Sequence, residues 1–127
     1  MNNTSKFMTV TGIVLMLLTA IIHFYDAPDA FSEVAYKGIL FTLNGVGALV
    51  AAYGIFSGAS WGWLLGLLIA GGAIGGYVIS RTVGMPGLPV DPWLEPLGVL
   101  SLLVEGLFVA LAAYLLTVAT QRMKVAH

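Results

Sequence analysis

Residues Trp61–Ser80 read WGWLLGLLIAGGAIGGYVIS, an unbroken stretch without a single charged residue. A helix needs about 20 predominantly apolar residues to cross a hydrocarbon core about 30 Å thick, so this stretch specifies a membrane span. Three other stretches have the same character, at about 7–25, 36–56 and 97–119, with Lys37 at the edge of the second and Glu105 inside the fourth. The composition agrees. Of 127 residues, 59% are hydrophobic and 9% charged, against about 25% charged in a soluble domain. Mean hydropathy is +0.97. Four spans leave no room for a separate soluble domain. The expected fold is an all-α, four-transmembrane-helix, up-down-up-down bundle occupying residues 1–127 as one domain.

The same arithmetic excludes other classes. A formal net charge of −1 is not that of a nucleic-acid binder, so no nucleic-acid partner is expected. The absence of cysteine removes disulfide scaffolds, thiolate catalysis, iron–sulfur clusters and Cys-type zinc sites. No G-x-S-x-G, H-E-x-x-H or phosphate loop occurs, and the glycine run Gly71–Gly76 has no preceding strand or following lysine. Lys6 ahead of the first apolar run resembles a signal peptide, but no A-x-A site follows, so a retained span is expected. The chain is too short for the two inverted halves of a transporter, so transport would require an oligomer.

Loop charges set the orientation. Lys6, Arg122 and Lys124 flank the termini, against Lys37 and Arg81 on the other side. The excess favours a multi-pass cell-membrane protein with both termini cytoplasmic. Ser57–Ser60 reads as a tight turn between antiparallel helices. Ala27-Pro28-Asp29 reads as a second turn, with Ala30–Ala35 as a short interfacial helix after it. Gly84–Pro89 cannot be helical, and Asp91-Pro92 reads as an N-cap followed by a first-turn proline. Trp93 is expected at one membrane interface, and Trp61 and Trp63 at the other.

Glycine pairs Gly62/Gly66, Gly71/Gly75 and Gly72/Gly76 have small-xxx-small spacing, and span two adds the small residues Gly45, Gly47, Ala48, Ala51 and Ala52. They suit close packing within the bundle, or a homo-oligomer or larger membrane complex built through a glycine face. The polar residues lie asymmetrically. At a rise of 1.5 Å per residue, Glu105 and Asn44 each fall about 12 Å below the outer start of their spans. His23 is expected near the outer end of span one. Ser101 shares a face with Glu105, Tyr77 with Arg81, and Lys37 with Phe41 and Asn44. A carboxylate in hydrocarbon costs about 3 kcal/mol or more, so Glu105 must face the interior, shed its charge or meet a partner. Arg81 is the cation expected to reach down to it, and Asn44 is at hydrogen-bonding depth. One reading makes these groups interhelical glue; the other makes them an outward-facing pocket for a ligand, proton or cation. His23 and Asp26, three apart, are the weak metal candidates, with Glu33, Glu95 or Glu105 as a third ligand. His127 belongs at the opposite face, which argues against bis-histidine haem.

The stretch Ser80-Arg81-Thr82-Val83-Gly84-Met85-Pro86 resembles a family of small four-span membrane proteins of bacteria and archaea that carry S-R-T-x-G-x-P after the third span. The likeness extends to His23 with Ala27-Pro28, to Gly38–Phe41 with Asn44-Gly45, and to Glu95–Gly98 with Glu105, and so covers most of the chain. Met85 stands where leucine is usual. The resemblance implies the four-span topology, names no activity or cofactor, and directs attention to Ser80, Arg81 and Thr82. The first functional expectation is a non-enzymatic membrane protein whose outer half binds a small amphipathic ligand, such as a quinone, or a lipid headgroup. Its lining would be His23, Asn44, Tyr77, Ser80, Arg81, Thr82, Ser101 and Glu105. The second is an accessory subunit of a larger respiratory or redox complex in the membrane. The third is an enzyme or metal site using His23 and Asp26.

Overall fold

The computed structural model describes the backbone of residues 3–126 and the side chains of residues 5–119; His127 lies outside them. The described residues form four helices: α1 (Asn3–Glu33), α2 (Ala35–Phe56), α3 (Ser60–Arg81) and α4 (Pro96–Ala126). Each is long and apolar enough to cross a membrane. Each packs on its successor, and α4 returns to α1. The protein is an all-α four-helix bundle and a small multi-pass integral membrane protein. One end carries the short turn 57–59; the other, here called the acidic end, carries the α1–α2 junction and the 82–95 link.

Helix α1 departs from expectation. It does not turn at Ala27-Pro28-Asp29 but runs through Pro28 to Glu33, about 46 Å at helical rise. A proline inside a helix costs about 3 kcal/mol, through the lost hydrogen bond and a clash with the carbonyl four residues back. Packing on α2 offsets that. Ala27 and Ala30 are buried, the Phe24 ring lies over Gly45, and the Phe31 ring lies over Gly38. The expected separate helix at Ala30–Ala35 is therefore the end of α1. The chain reverses at Val34 alone, extended at φ −161°, ψ 143°, a conformation that suits a β-branched residue.

Helix α4 also starts later than the sequence suggests. Asp91 is not its N-cap. The Asp91 amide donates to the Ser80 carbonyl at 2.9 Å, folding the link back onto α3. The helix begins at Pro96, and the Glu95 carbonyl accepts the Val99 amide at 2.9 Å. The proline-first rule holds, at Pro96 rather than Pro92. Gly84, at φ 84°, returns its amide to Ile79 and closes the end of α3.

The turn end is tightly packed. A Cβ on Gly62 would collide with the Ile55 amide nitrogen and lie 2.6 Å from the Gly54 carbonyl carbon, so the two backbones touch. Phe108 is fully buried and stacks on Trp63, ring centroids 5.6 Å apart, with its edge over Gly66. Met16, Ala48, Ala51, Ile55, Ala70 and Ala112 complete this core. Trp63 is thus a core ring seated over Gly12 rather than an interfacial anchor, whereas Trp61 and Trp93 are about half exposed. Gly71, Gly72, Gly75 and Gly76 are not packed within the chain: a Cβ on any of them would meet nothing within 4 Å.

This contrast is testable. Gly62→Ala forces two backbones apart and should lower stability by about 1–3 kcal/mol, the usual cost of overpacking. Gly71→Ala should be neutral or slightly stabilising, since alanine is the better helix former. Thermal unfolding of the two variants in detergent compares them directly.

Candidate functional site

Beyond Gly47, which lies against Ile69, α2 and α3 part, and a cavity of about 490 Å³ opens between the four helices. Its floor is built from three helices. Glu105, 1% exposed, lies nine residues into α4, about 14 Å below its start at helical rise. Ser101, one turn earlier, donates its hydroxyl to Glu105 Oε1. His23 Nε2 stands 3.8 Å from the same oxygen. The histidine is aimed by its other nitrogen, Nδ1, which lies 2.9 Å from the Thr19 carbonyl. With the proton on Nδ1, the neutral ring presents the Nε2 lone pair towards Glu105. Phe41 meets the imidazole edge-on, centroids 5.4 Å apart. Asn44 Nδ2 donates to the Ile69 carbonyl at 3.2 Å, tying α2 to α3 where they separate. Its Oδ1 is buried and has no hydrogen-bond partner.

The mouth is a chain of ion pairs joining α1, α2, α3 and the link. Lys37 Nζ binds Glu33 and lies 3.8 Å from Asp91. Arg81 lies 3.9 Å from Asp91 and 3.2 Å from Glu95. It also donates to the Pro92 carbonyl at 3.1 Å and to the Ser80 hydroxyl at 2.7 Å. Its guanidinium stacks 3.8 Å from the centre of the Tyr77 ring. The Tyr77 hydroxyl donates to the Trp93 carbonyl, and Tyr36 donates to the Pro86 carbonyl. Gly98 makes this arrangement possible, because a Cβ there would fall 2.8 Å from Tyr77 and 3.0 Å from Arg81.

His23, Asn44, Tyr77, Ser80, Arg81, Ser101 and Glu105 all line the cavity. Thr82, grouped with them by the sequence, stands outside it, and its hydroxyl returns to the Val78 carbonyl at 2.7 Å. Two geometric expectations fail. Arg81 does not reach down to Glu105, because Asp91 and Glu95 hold it at the mouth. His23 does not sit near the end of its helix; α1 continues ten residues beyond it, so it lies level with Glu105. His23 and Asp26 both line the cavity. Among the described residues, however, no group of three or more His, Asp or Glu side chains is placed to hold a metal ion.

The sequence reading missed Lys37 as a site residue, although its side chain is about nine-tenths buried. The available signal was its position four residues after Glu33, the helical ion-pair spacing. Asp91 carried no such signal, since its role follows from the fold of the link. Nor was it evident that the six acidic residues of the chain would all line one cavity. No family model, curated protein or solved structure matches the chain.

Arg81 organises the mouth, which yields a second prediction. Arg81→Ala should cost about 1–3 kcal/mol through unpaired polar groups and open the 82–95 link to limited proteolysis in detergent. Arg81→Lys should recover only part of this, because one ammonium cannot reproduce the planar stack and the forked contacts.

Proposed function

We propose that this is a non-enzymatic membrane protein whose polar cavity binds a small amphipathic molecule, such as a quinone or a lipid headgroup. One observation carries the reading: a cavity within the usual size range for ligand sites has Glu105, His23, Ser101 and the unpartnered Asn44 oxygen at its floor. Its walls support the amphipathic part. Leu40 and Leu43 on α2 and Leu68 on α3 line the cavity yet are half to three-quarters exposed. They mark an opening between the two helices at membrane depth. A polar head would lie at the floor while an apolar tail leaves between α2 and α3.

Interhelical glue is the competing account, and two variants separate them. Glu105→Gln keeps size and hydrogen-bonding capacity. Gly76→Leu fills the cavity from a position where a Cβ meets nothing and touches none of the floor hydrogen bonds. If the cavity binds, both variants stay folded and lose the thermal stabilisation that a membrane-lipid extract gives the wild type in detergent. They also lose whatever small molecule accompanies the wild type in native mass spectrometry. Glue alone predicts that Glu105→Gln unfolds and Gly76→Leu changes nothing.

We also propose that the acidic end faces out and both termini face the cytoplasm of a cell membrane, from the excess of Lys and Arg flanking the termini. The chain has no cysteine, so single-site labelling reads this directly. A membrane-impermeant maleimide should label Leu94→Cys in intact cells and leave Ser57→Cys unlabelled until the cells are opened. An accessory role in a homo-oligomer or larger complex is the second reading. It is favoured by Gly71 and Gly75, which leave a bare strip on α3 that lines neither the core nor the cavity.

A further inference from the structure

We infer that the cavity selects amphipathic organic cations over neutral or anionic amphiphiles. This rests on the proposal that the cavity binds an amphipathic ligand, and it names the class.

Charge balance is the first ground. The cavity is lined by six acids, Asp26, Asp29, Glu33, Asp91, Glu95 and Glu105, against two permanently charged bases, Lys37 and Arg81, and one histidine, His23, 3.8 Å from Glu105. Both bases are occupied: Lys37 by Glu33 and Asp91, Arg81 by Asp91 and Glu95. Among the described residues, Asp26, Asp29 and Glu105 have no lysine or arginine within ion-pair distance. An anionic headgroup would enter against this excess of acids and find its two natural partners engaged. A cation finds carboxylates at the mouth and at the floor.

The second ground is independent of the acids at the mouth. Glu105 is 99% buried, and among the described residues Ser101 alone donates a hydrogen bond to its carboxylate, at Oε1. No hydrogen bond reaches Oε2 from any described residue. His23 Nε2, also on a buried side chain, lies beyond hydrogen-bonding distance of Glu105 at 3.8 Å. Asn44 Oδ1 is unpartnered. The floor therefore presents a carboxylate oxygen and a ring nitrogen, both acceptors, with the buried Asn44 Oδ1 adding a further negative dipole end. The Phe41 ring, edge-on to His23, already has the Lys37 ammonium 5.8 Å from its centroid, a cation–aromatic contact within this cavity. A cavity of about 490 Å³ with leucine walls is far larger than a metal ion needs, so the cation is organic: an ammonium or phosphonium carrying apolar substituents.

The test uses the full chain in maltoside micelles and three probes: tetraphenylphosphonium, its near-isosteric anion tetraphenylborate, and neutral triphenylmethanol. Binding is read as the difference between wild type and Gly76→Leu, which cancels partition into the micelle. Tetraphenylphosphonium should bind specifically and tetraphenylborate should not. Glu105→Gln should weaken the phosphonium about tenfold or more, as for loss of a contact to a buried charge. Asp26→Asn with Asp29→Asn should weaken it about threefold, an effect that disappears at high salt. Specific binding of triphenylmethanol or tetraphenylborate in preference to the phosphonium overturns the cation class and leaves the cavity reading standing. If no probe distinguishes wild type from Gly76→Leu, both fall. Should Glu105→Gln not fold, an unchanged phosphonium affinity in the double mouth variant overturns the proposal by itself.

Discussion

Two backbones touch where Gly54 meets Gly62, and the shape of the bundle follows from that contact. Lipid offers no hydrophobic drive for helices to associate, so small residues that permit dispersion contact between backbones decide where helices meet. The turn at 57–59 adds a covalent tether at the same end. With α2 and α3 pinned there, Gly66 receives Phe108 and Gly12 receives Trp63, and the turn half of the bundle becomes solid. Nothing comparable joins α2 to α3 beyond the Asn44–Ile69 hydrogen bond. The helices part, and the hollow appears where the glycines face empty space.

The second constraint is polar. A charge within the bilayer must be satisfied by the protein itself. The molecule meets this by gathering five charged groups at one end and cross-linking them: Glu33 to Lys37, Lys37 to Asp91, Asp91 to Arg81, Arg81 to Glu95. The extension of α1 past Pro28 belongs to the same scheme, since it carries Glu33 to Lys37. The penalty for helical proline is local. The compensation, from Phe24 and Phe31 seated on glycines of α2 together with this ion pair, is tertiary.

That difference explains how much the sequence disclosed. Span positions were legible, because the need for about 20 apolar residues is a property of each segment alone. Stretches expected at 36–56 and 61–80 form helices Ala35–Phe56 and Ser60–Arg81. The polar residues of the cavity were legible by depth for a similar reason: helical rise converts residue number into height. Partners were not. Arg81 was assigned to Glu105 because no other cation stood near in height, yet lateral position decided the matter, and the fold of 82–95 brings Asp91 and Glu95 closer. Gly71–Gly76 were indistinguishable by spacing from Gly62 and Gly66. Whether a small-xxx-small pair meets another helix depends on where that helix goes, and spacing does not encode it. Thr82 was included by its neighbours in the chain, whereas a helix turns each successive side chain by about 100°.

The hollow itself bears on what surrounds it. An empty apolar cavity in a packed core costs about 24 cal/mol per Å³. At about 490 Å³ that rate amounts to about 12 kcal/mol, comparable to the whole stability of a typical domain. A marginally stable bundle would collapse around such a void, and here collapse has a ready route, since Gly72 and Gly76 offer no steric resistance. What opposes it is the composition of the wall. Bringing α2 against α3 would offer no new partner to the already buried Asn44 Oδ1 and Glu105–His23 pair, and unpaired polar groups in a low dielectric are costly. The ion pairs at the mouth tie α1, α2 and α3 to the link above the floor. The hollow is therefore an open, partly polar recess rather than a sealed apolar void. Polar groups too deep for bulk water and too few to satisfy one another keep the helices apart.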